Sequence, residues 1–191
     1  MVATEYKKPA RQRLLEAASR LFYAYGVTAT GIDAITGQAG TAKMSLYNNF
    51  SSKDDLILAY LLHRHEELLE FYNQRLNQAK TSQARILAIF DAYIDHARID
   101  YEGGFRGCGL LNAAAEFPAG SLGRARVCEH KEQIQSLIHD QLENSGYANP
   151  GQLAAHLALL LEGAMSRAGL EHSTELLFQA RNMATSLLEA Q

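Results

Sequence analysis

A length of 191 residues with an apolar fraction of 47% is sufficient for a sizeable hydrophobic core, in one compact unit or two small ones. No apolar run approaches the roughly 20 residues that span a bilayer, and the sequence has only 2 cysteines, so a reduced, cytoplasmic protein is expected. The net charge of −3 argues against nucleic-acid binding. The charge is unevenly distributed, however: residues 1–55 carry an excess of two positive charges and residues 56–191 an excess of five negative charges, so the N-terminal part remains a candidate for binding nucleic acid.

The N-terminal part of the sequence begins with one predicted helix, from about Pro9 to Tyr25. Proline suits an early helical position, and Gly26 marks the end of the helix. Apolar residues recur along it at the spacing of one helical face, namely Leu14, Leu15, Ala18, Leu21, Phe22 and Tyr25. We expect this face to be the scaffold against which the next helices pack.

The stretch from Thr28 to Lys53 indicates two short helices joined by a glycine turn, with a third helix starting directly after them. Apolar residues recur at helical spacing in the first short helix, at Ile32, Ile35 and Ala39. Gly40 follows, where a left-handed C-cap would cause no Cβ clash. Thr30 is expected to cap the first short helix and Thr41 the second, because a hydroxyl can accept from a free N–H of the first turn.

The second short helix has an apolar and a polar side. Leu46 and Phe50 are four residues apart, so they share a face that we expect to anchor the helix to the core. The other faces carry a cation, an aromatic hydroxyl and an amide, which suit DNA phosphates and base edges, at Lys43, Met44, Tyr47 and Asn48. Such a helix-turn-helix places its second helix in the major groove. Lys53 follows a serine cap, and a positive charge at the start of a helix interacts unfavourably with the helix dipole. A nearby anion such as a DNA phosphate would offset this effect.

This stretch resembles the DNA-binding segment of the TetR family of bacterial transcriptional regulators, over roughly the first quarter to third of the chain. The resemblance is carried in combination by Gly26, Val27, Thr30, Ile35, Ala39, Gly40, Lys43, Leu46, Tyr47, Phe50, Lys53 and Leu56. It implies phosphate contacts by Thr30, Tyr47 and Lys53. It implies positions at or near the bases for Thr41, Ala42, Lys43, Ser45 and Asn48. The alternative is a small three-helix packing unit that does not bind DNA.

A long helix is predicted from about Lys53 to Lys80, and it would connect the DNA-reading part to the rest of the chain. Its polar middle, residues 63–67, is expected to be solvated rather than to hold a metal. The next helix, from about Gln83 to Ile99, is expected to bury one apolar face. Its expected exposed residues are Asp91, Asp95 and Arg98, and its His96 is expected to be hydrogen-bonded or exposed unless it faces a cavity.

Four glycines within residues 100–109 predict a loop, which a short helix from Leu110 to Phe117 follows. Asn112 and Glu116 share one face of that helix. Two explanations stay open: internal hydrogen bonds to a nearby arginine or backbone group, or polar recognition of a ligand in an apolar pocket. The segment GCGLLNAAAEFP resembles one in the ligand-binding half of a subset of TetR-like regulators.

A further helix is predicted from Ser121 to Asn144, with Cys128 as a small core residue and residues 129–132 facing solvent. We expect the second half of the chain to enclose a pocket for an effector. The residues expected to line it are Phe90, Tyr93, Ile94, Cys108, Leu111, Asn112, Glu116, Cys128 and Met165.

The last two predicted helices run from about Pro150 to Ala168 and from Ser173 to Ala190. They carry more apolar surface than one buried face requires, so a two-fold four-helix interface is expected to cover the remainder. The residues expected in it are Leu157, Leu161, Ala164, Leu177, Ala180, Met183, Ala184 and Leu187. The alternative is a helical hairpin buried wholly within one chain.

Together these features predict an all-α protein with a three-helix helix-turn-helix DNA-binding domain, residues 1–52, and a helical ligand-binding and dimerisation domain, residues 53–191. The expected function is a homodimeric repressor, released from a pseudo-palindromic operator by a small, largely apolar effector. No metal, cofactor or catalytic group is expected, because the sequence has no phosphate-binding glycine loop, metal-spaced cluster or nucleophile elbow. The rival classes are a binding or scaffold protein without sequence-specific DNA binding, and a helical enzyme with a carboxylate site at Glu116.

Overall fold

The computed structural model describes residues 8–190, and over that range it consists of nine α-helices without a β-strand. The N-terminal three are α1 (Ala10–Tyr25), α2 (Ile32–Ala39) and α3 (Lys43–Asn49). The others are α4 (Lys53–Gln78), α5 (Ser82–Ala97), α6 (Gly109–Ala115), α7 (Leu122–Asn144), α8 (Pro150–Glu171) and α9 (Glu175–Glu189). The predicted all-helical class is confirmed. None of the described helices is both long and apolar enough to cross a membrane.

The first three helices and the beginning of α4 share one core. Each contributes a side chain without exposed surface, namely Leu14, Ile35, Leu46 and Leu56. The chain reverses between α2 and α3 at Gly40, whose φ of 59° lies in the left-handed region that glycine adopts without a Cβ clash. The predicted glycine turn is therefore confirmed, and it sets the angle between α2 and α3.

The two threonine caps predicted from the sequence are wrong, because neither α2 nor α3 has a side-chain cap. Thr30 is 4% exposed, and its hydroxyl donates to the carbonyl oxygens of Gly26 at 2.7 Å and Leu21 at 3.3 Å. Thr41 lies one residue before the cap position of α3. The turn after α1 folds back on that helix, so the Thr30 hydroxyl serves the end of α1 instead of the start of α2.

Helix α4 is 26 residues long, about 39 Å at 1.5 Å per residue. Ser52 caps it by accepting a hydrogen bond from the N–H of Asp55 at 3.1 Å. The Lys53 ammonium does not stand alone at this helix start, because it donates to the carbonyl oxygen of Thr28 at 3.2 Å. One face of α4 is buried along its length, at Leu56, Ile57, Tyr60, Leu61, Arg64, Leu68 and Tyr72. The helix therefore runs from the N-terminal unit into the second half of the fold.

Helix α5 lies at the centre of the second half, against α4, α7 and α9. Ten of its 16 residues are buried, because apolar side chains occupy most of its circumference. Asp91 and Asp95, predicted to be exposed, are half-buried instead. Asp91 is bound by Arg181 of α9, with Nε at 2.6 Å, and Asp95 by Arg75 of α4, with Nε at 2.5 Å. The two flanking helices thus neutralise the acidic side chains that they cover.

Candidate nucleic-acid interface and effector site

Helix α3 presents its polar side to solvent and buries its apolar side. Leu46 is 0% and Phe50 1% exposed, whereas Met44 is 69% and Tyr47 46% exposed. Ala42, Lys43 and Asn48 are also exposed on this side. The buried pair fixes the helix on the core, so its outer surface is a rigid row of a cation, a phenol and an amide. This row has the donor and acceptor groups that duplex DNA recognition uses.

Lys43 has a partner within the N-terminal unit. Its ammonium lies 3.0 Å from the carboxylate of Asp33 in α2, and both side chains are largely exposed. A hydrogen bond to Asp33 and the charge of that carboxylate raise the pKa of Lys43. Exposed ion pairs of this kind are weak, so a DNA phosphate or base can compete for the ammonium.

The other predicted DNA-contacting residues differ in accessibility. Thr41, Ser45 and Lys53 are half-buried at the edge of the exposed row. The predicted phosphate contact through the side chain of Thr30 is contradicted, because its buried hydroxyl already bonds the end of α1.

Two arginines that the sequence reasoning missed hold this unit together from α1. Arg13 donates through Nη1 to the carbonyl oxygens of Ala39 at 2.7 Å and Gly40 at 3.0 Å. The guanidinium of Arg11 stacks over the ring of Phe50, with 4.8 Å between Cζ and the ring centroid. Neither contact has a local sequence signal, because the partners are more than 25 residues away.

The residues on either side of α6 attach it to α1 and to the turn that follows α1. The carboxylate of Glu116 accepts from the N–H groups of Thr28 at 2.7 Å and Val27 at 3.1 Å. At the other end, Arg106 donates through Nη1 to the carbonyl oxygen of Tyr23 at 2.8 Å. The side chain of Asn112 donates to the carbonyl oxygen of Arg106 at 2.9 Å. Glu116 therefore lies at a junction with the DNA-reading unit and not in a pocket, which contradicts its predicted position.

The junction also affects the charge state of Glu116. Burial acts to raise the pKa of its carboxyl group, but hydrogen bonds from Thr28 and Val27 favour the anion. The net effect is a lowered pKa. Glu116 is therefore a hydrogen-bond acceptor that closes the turn, which is one of the two explanations that its sequence position left open.

The residues predicted to line one effector pocket are distributed over separate places. Tyr93, Cys108 and Met165 line an interior cavity of about 20 Å³. Cys108 also lines an open cleft of about 440 Å³, together with Leu111 and Asn112. Phe90 and Ile94 are core residues that line neither space. Cys128 is exposed, because its position on α7 faces away from α5 and α8, so its prediction as a core and pocket residue is wrong.

The predicted polar middle of α4 contains a buried cation. Arg64 is 6% exposed and donates to Glu67 at 2.6 Å and to the Tyr101 hydroxyl at 2.9 Å. Its Nη2 lies 2.7 Å from Nε2 of His96 on α5. The guanidinium also packs over the ring of Tyr23, with 5.2 Å between Cζ and the centroid. Arg64 thereby joins α1, α4, α5 and the loop after α5 around one charge.

Two residues of α7 that were predicted to face solvent turn towards the core, where His130 is buried and Lys131 half-buried. His130 is 4% exposed, and its Nδ1 lies 2.7 Å from Nδ1 of His65. Burial and the neighbouring Lys131 lower the pKa of His130 to about 3. The ammonium of Lys131 is bound by Glu162 of α8 at 2.7 Å. Both side chains turn inward because α4 and α8 pack against this side of α7.

One group of three potential metal ligands occurs in the described part of the chain, at His139, Asp140 and Glu143 on α7. His139 is half-buried and the two carboxylates are exposed. Exposed acidic groups of this kind are common on helix surfaces and do not by themselves form a metal site.

The dimer residues predicted from the sequence divide into two sets. Five are buried within the same chain, namely Leu157, Leu161, Leu177, Ala180 and Ala184, so their predicted place on an outer surface is contradicted. The other three are at least partly exposed: Ala164 is half-buried, and Met183 and Leu187 are 56% and 37% exposed. Leu159 and Leu170 of α8, which were not predicted, are 71% and 81% exposed. The strongest apolar stripes of these helices thus face their own core, and a second stripe remains outside.

Known proteins share both the N-terminal sequence and the whole fold. The family model described as bacterial regulatory proteins, tetR family, matches residues 14–60. The transcriptional activator FasR of Mycolicibacterium smegmatis is 37% identical over 93 residues, which is 49% of this chain and 42% of FasR. The regulator TtgW of Pseudomonas putida is 31% identical over 85 residues, which is 44% of this chain and 63% of TtgW. The matched segment therefore spans less than two thirds of these relatives.

Solved structures extend the similarity to the second half of the chain. The solved structure of a cysteine mutant of the TetR-family regulator CifR, complexed with 26-base-pair double-strand operator DNA, has a TM-score of 0.78 at 19% identity, over 92% of this chain and 95% of CifR. The TetR-family regulator SCO4454 from Streptomyces coelicolor is 32% identical, with a TM-score of 0.82 over 93% of this chain and 86% of SCO4454. The chain therefore belongs to the TetR family of DNA-binding transcriptional regulators.

Proposed function

We propose that this protein is a homodimeric repressor that leaves a pseudo-palindromic operator when a small, largely apolar effector reaches the second half of the chain. The observation that carries the proposal is the exposed row on α3, with Lys43, Met44, Tyr47 and Asn48 held outward by the buried Leu46 and Phe50. The solved structure of CifR, a protein of the same fold, contains operator DNA. This supports the assignment of the row to the DNA major groove.

The division into a DNA-binding domain, residues 1–52, and a ligand-binding and dimerisation domain, residues 53–191, is part of the proposal. Residues 1–7 and 191 lie outside the described part of the chain. The start of α4 at Lys53, directly after the helix-turn-helix, supports the boundary. The resemblance of residues 107–118 to a segment of some TetR-like regulators supports a ligand-binding role for the second domain.

A second copy of the chain is the proposed occupant of the outer face of α8 and α9. The exposed leucines Leu159 and Leu170 lie along one side of α8, with the small Gly163 between them. Met183 and Leu187 are four residues apart on α9, so they share a face. A two-fold four-helix interface would bury this surface and place two α3 helices about 34–36 Å apart, one turn of DNA.

Release from DNA requires that the effector bind better to a dimer in which the distance between the two α3 helices no longer matches the distance between the two half-sites. The contacts of Glu116 with the turn after α1 and of Arg106 with the end of α1 support α6 as the element that transmits this change, together with α4. FasR is named as an activator, so the sign of regulation is also to be measured. A reporter gene behind the operator, with and without the regulator, distinguishes repression from activation.

The decisive experiment is selection of bound DNA from a random pool by the purified protein. We expect enrichment of two inverted half-sites whose centres are about 10 base pairs, one helical turn, apart. Enrichment of a single half-site would contradict the dimer. Retention of DNA without any sequence preference would favour the alternative, a protein of this fold that binds small molecules or partners without sequence-specific DNA binding.

A further inference from the structure

A groove of about 550 Å³ lies between α1, α4 and α7. Its floor consists of apolar side chains of α4 that leave part of their surface uncovered, namely Leu58, Ala59 and Leu62. Small-molecule sites in proteins have this size and combine an apolar lining with a few polar groups. None of the residues predicted from the sequence to line an effector pocket lies in this groove. It is therefore a separate candidate site, and through α1 it also touches the DNA-reading unit.

Four charged side chains line the groove, and three of them are compensated by neighbours. Arg126 lies 2.7 Å from the carboxylate of Glu129 on the same helix. The carboxylate of Asp55 accepts from the N–H of Ser51 at 2.9 Å. Arg11 has no carboxylate within ion-pair distance in the described part of the chain. A guanidinium can donate two parallel hydrogen bonds to one carboxylate, so the charge of the groove is complementary to that of an organic acid.

The inner end of the groove is polar but uncharged. Nδ1 of His65 lies 2.7 Å from Nδ1 of His130, so these two nitrogens share one hydrogen bond. Burial lowers the pKa of both side chains, and both rings of this histidine pair are neutral at pH 7. Nε2 of His130 has no hydrogen-bond partner in the described part of the chain, although the side chain is only 4% exposed. A buried ring nitrogen without a partner favours a ligand that brings a hydrogen-bonding group to it.

The two polar ends are separated by the length of a small aromatic molecule. The guanidinium of Arg11 lies over the ring of Phe50, with 4.8 Å between Cζ and the centroid, and is therefore near the start of α4. Leu58 and His65 are seven residues apart on α4, about 10.5 Å at 1.5 Å per residue. Two fused aromatic rings with a polar group at each end have a comparable length.

We propose that this groove binds amphipathic aromatic carboxylates. The carboxylate binds Arg11, the apolar body covers the α4 floor, and a hydroxyl group at the far end bonds the histidine pair. Binding is reversible and involves no covalent step. The bound acid would contact α1, α4 and α7 together, which makes the groove a candidate effector site at the border of the two domains.

Occupation of the groove would affect the anchoring of the DNA-reading helix. Phe50 is 1% exposed and directly follows α3, and the stacked guanidinium of Arg11 covers its ring. A carboxylate that binds Arg11 changes the position of the guanidinium over this ring, and the ligand body holds α1 against α4 and α7. We therefore expect lower operator affinity. This consequence rests on the proposed DNA-binding function, whereas binding in the groove does not.

The first test is titration calorimetry of the full chain with 6-hydroxy-2-naphthoate, whose carboxylate and hydroxyl lie at opposite ends of two fused rings. The corresponding carboxamide should bind at least about ten-fold more weakly, because charge-assisted hydrogen bonds are the stronger ones. The acid without its hydroxyl should bind about five-fold more weakly, because one neutral hydrogen bond is lost. An equal affinity with and without the hydroxyl would contradict the contact with the histidine pair.

Arg11→Gln should remove the preference for the acid over the carboxamide. Arg167→Gln, at an exposed arginine of α8 that is paired with Glu171, is the matched control and should keep it. Equal affinities of wild type for the acid and the carboxamide, or binding of neither, would overturn the proposal even if Arg11→Gln does not fold.

The second test locates the bound acid by NMR of leucine methyl groups in the wild-type protein. We expect chemical-shift changes at Leu58 and Leu62 and none at Leu159, which lies on the outer face of α8. Changes confined to Leu111 and Leu170 would place the acid in the cleft of about 440 Å³ and would overturn the assignment of the groove.

The third test measures operator affinity with and without saturating acid, with the operator obtained by the selection described above. We expect at least about five-fold weaker binding to the operator in the presence of the acid, the usual size of coupling between two sites, and no response of Arg11→Gln. Unchanged affinity, with the acid bound at Leu58 and Leu62, would overturn the regulatory role. If the protein alone bound no operator, the proposed function would fail, and the first two tests would still decide whether the groove binds the acid.

Discussion

At the scale of single residues, exposure separates the groups that can read DNA from those that hold the reading helix. Leu46 has no exposed surface, whereas Tyr47 and Asn48, its next neighbours, are exposed. A helix turns by about 100° per residue, so adjacent positions point in different directions. Asn48 carries the amide that can make two hydrogen bonds with one adenine, and Tyr47 carries a hydroxyl suited to a phosphate.

Asn48→Ala is expected to change the base preference at one position of each half-site, at a cost of about 1–3 kcal/mol on the preferred sequence. Tyr47→Phe is the matched variant, because it removes one hydroxyl from the same face and should weaken binding to every sequence alike. Both are measured by repeating the random-pool selection and by titrating the best site. An equal loss on all sequences for Asn48→Ala would contradict base readout.

At the scale of elements, short polar contacts join α6 to α1 and α7 to α4. Glu116 closes the turn after α1 with two hydrogen bonds to its carboxylate. His130 meets His65 between α7 and α4. Both contacts depend on a single protonation state, so each predicts a defined dependence of stability on pH.

Glu116→Gln is expected to lower the midpoint of thermal unfolding above about pH 4.5, the ordinary pKa of this group. The folded pKa is lowered, so the stabilisation is present above the unfolded pKa and is lost as pH falls through the folded value. Unfolding scans of wild type and variant should therefore converge at acid pH. A difference that stays constant down to pH 2 would mean that the carboxylate charge is not involved.

Acidification is expected to destabilise the protein through His130, because its pKa falls from 6.5 to about 3 on folding. A lowered folded pKa means that this stabilisation is complete above about pH 6.5 and is lost as pH falls towards 3. Besides burial, the positive charges that disfavour protonation of His130 are those of Lys131 on α7, His65 on α4 and His96 on α5.

The measurement is the free energy of unfolding by urea between pH 7 and pH 4. His130→Gln should make this curve flatter than that of the wild type. His156→Gln, at an exposed position of α8, is the control and should leave the slope unchanged. Parallel curves for His130→Gln and wild type would show that this histidine does not carry the dependence.

At the scale of the whole molecule, the outer face of α8 and α9 is the surface to which we propose that a second copy of the chain binds. A soluble chain rarely leaves several large apolar side chains together in water, and Leu159 and Leu170 are more than two thirds exposed. One N-terminal unit offers only a short row of contacts, with an excess of two positive charges in residues 1–55. Two units in fixed relation would add their contacts, so dimerisation and operator affinity should change together.

Leu159→Glu is expected to convert the dimer to a monomer and to weaken operator binding by at least about ten-fold, because it places a charge in the proposed apolar interface. Leu122→Glu, at a leucine of α7 that is 55% exposed, is the matched control and should leave both properties unchanged. Light scattering after gel filtration gives the mass, and titration of the operator gives the affinity. A dimeric Leu159→Glu protein would place the interface elsewhere.

Local sequence patterns determined the helices of this protein and the polar row on α3, because helical periodicity and a glycine that tolerates a left-handed turn act over a few residues. The tertiary structure alone decided which polar groups are buried. Arg64, His130 and Lys131 follow local patterns typical of a solvated face, but neighbouring helices cover them and supply their partners. Tertiary packing also decided that the side chains of Leu157 and Leu177 lie in the core of their own chain. It likewise brings Lys131 against Cys108. Such contacts join residues far apart in the chain, and periodicity contains no information about them.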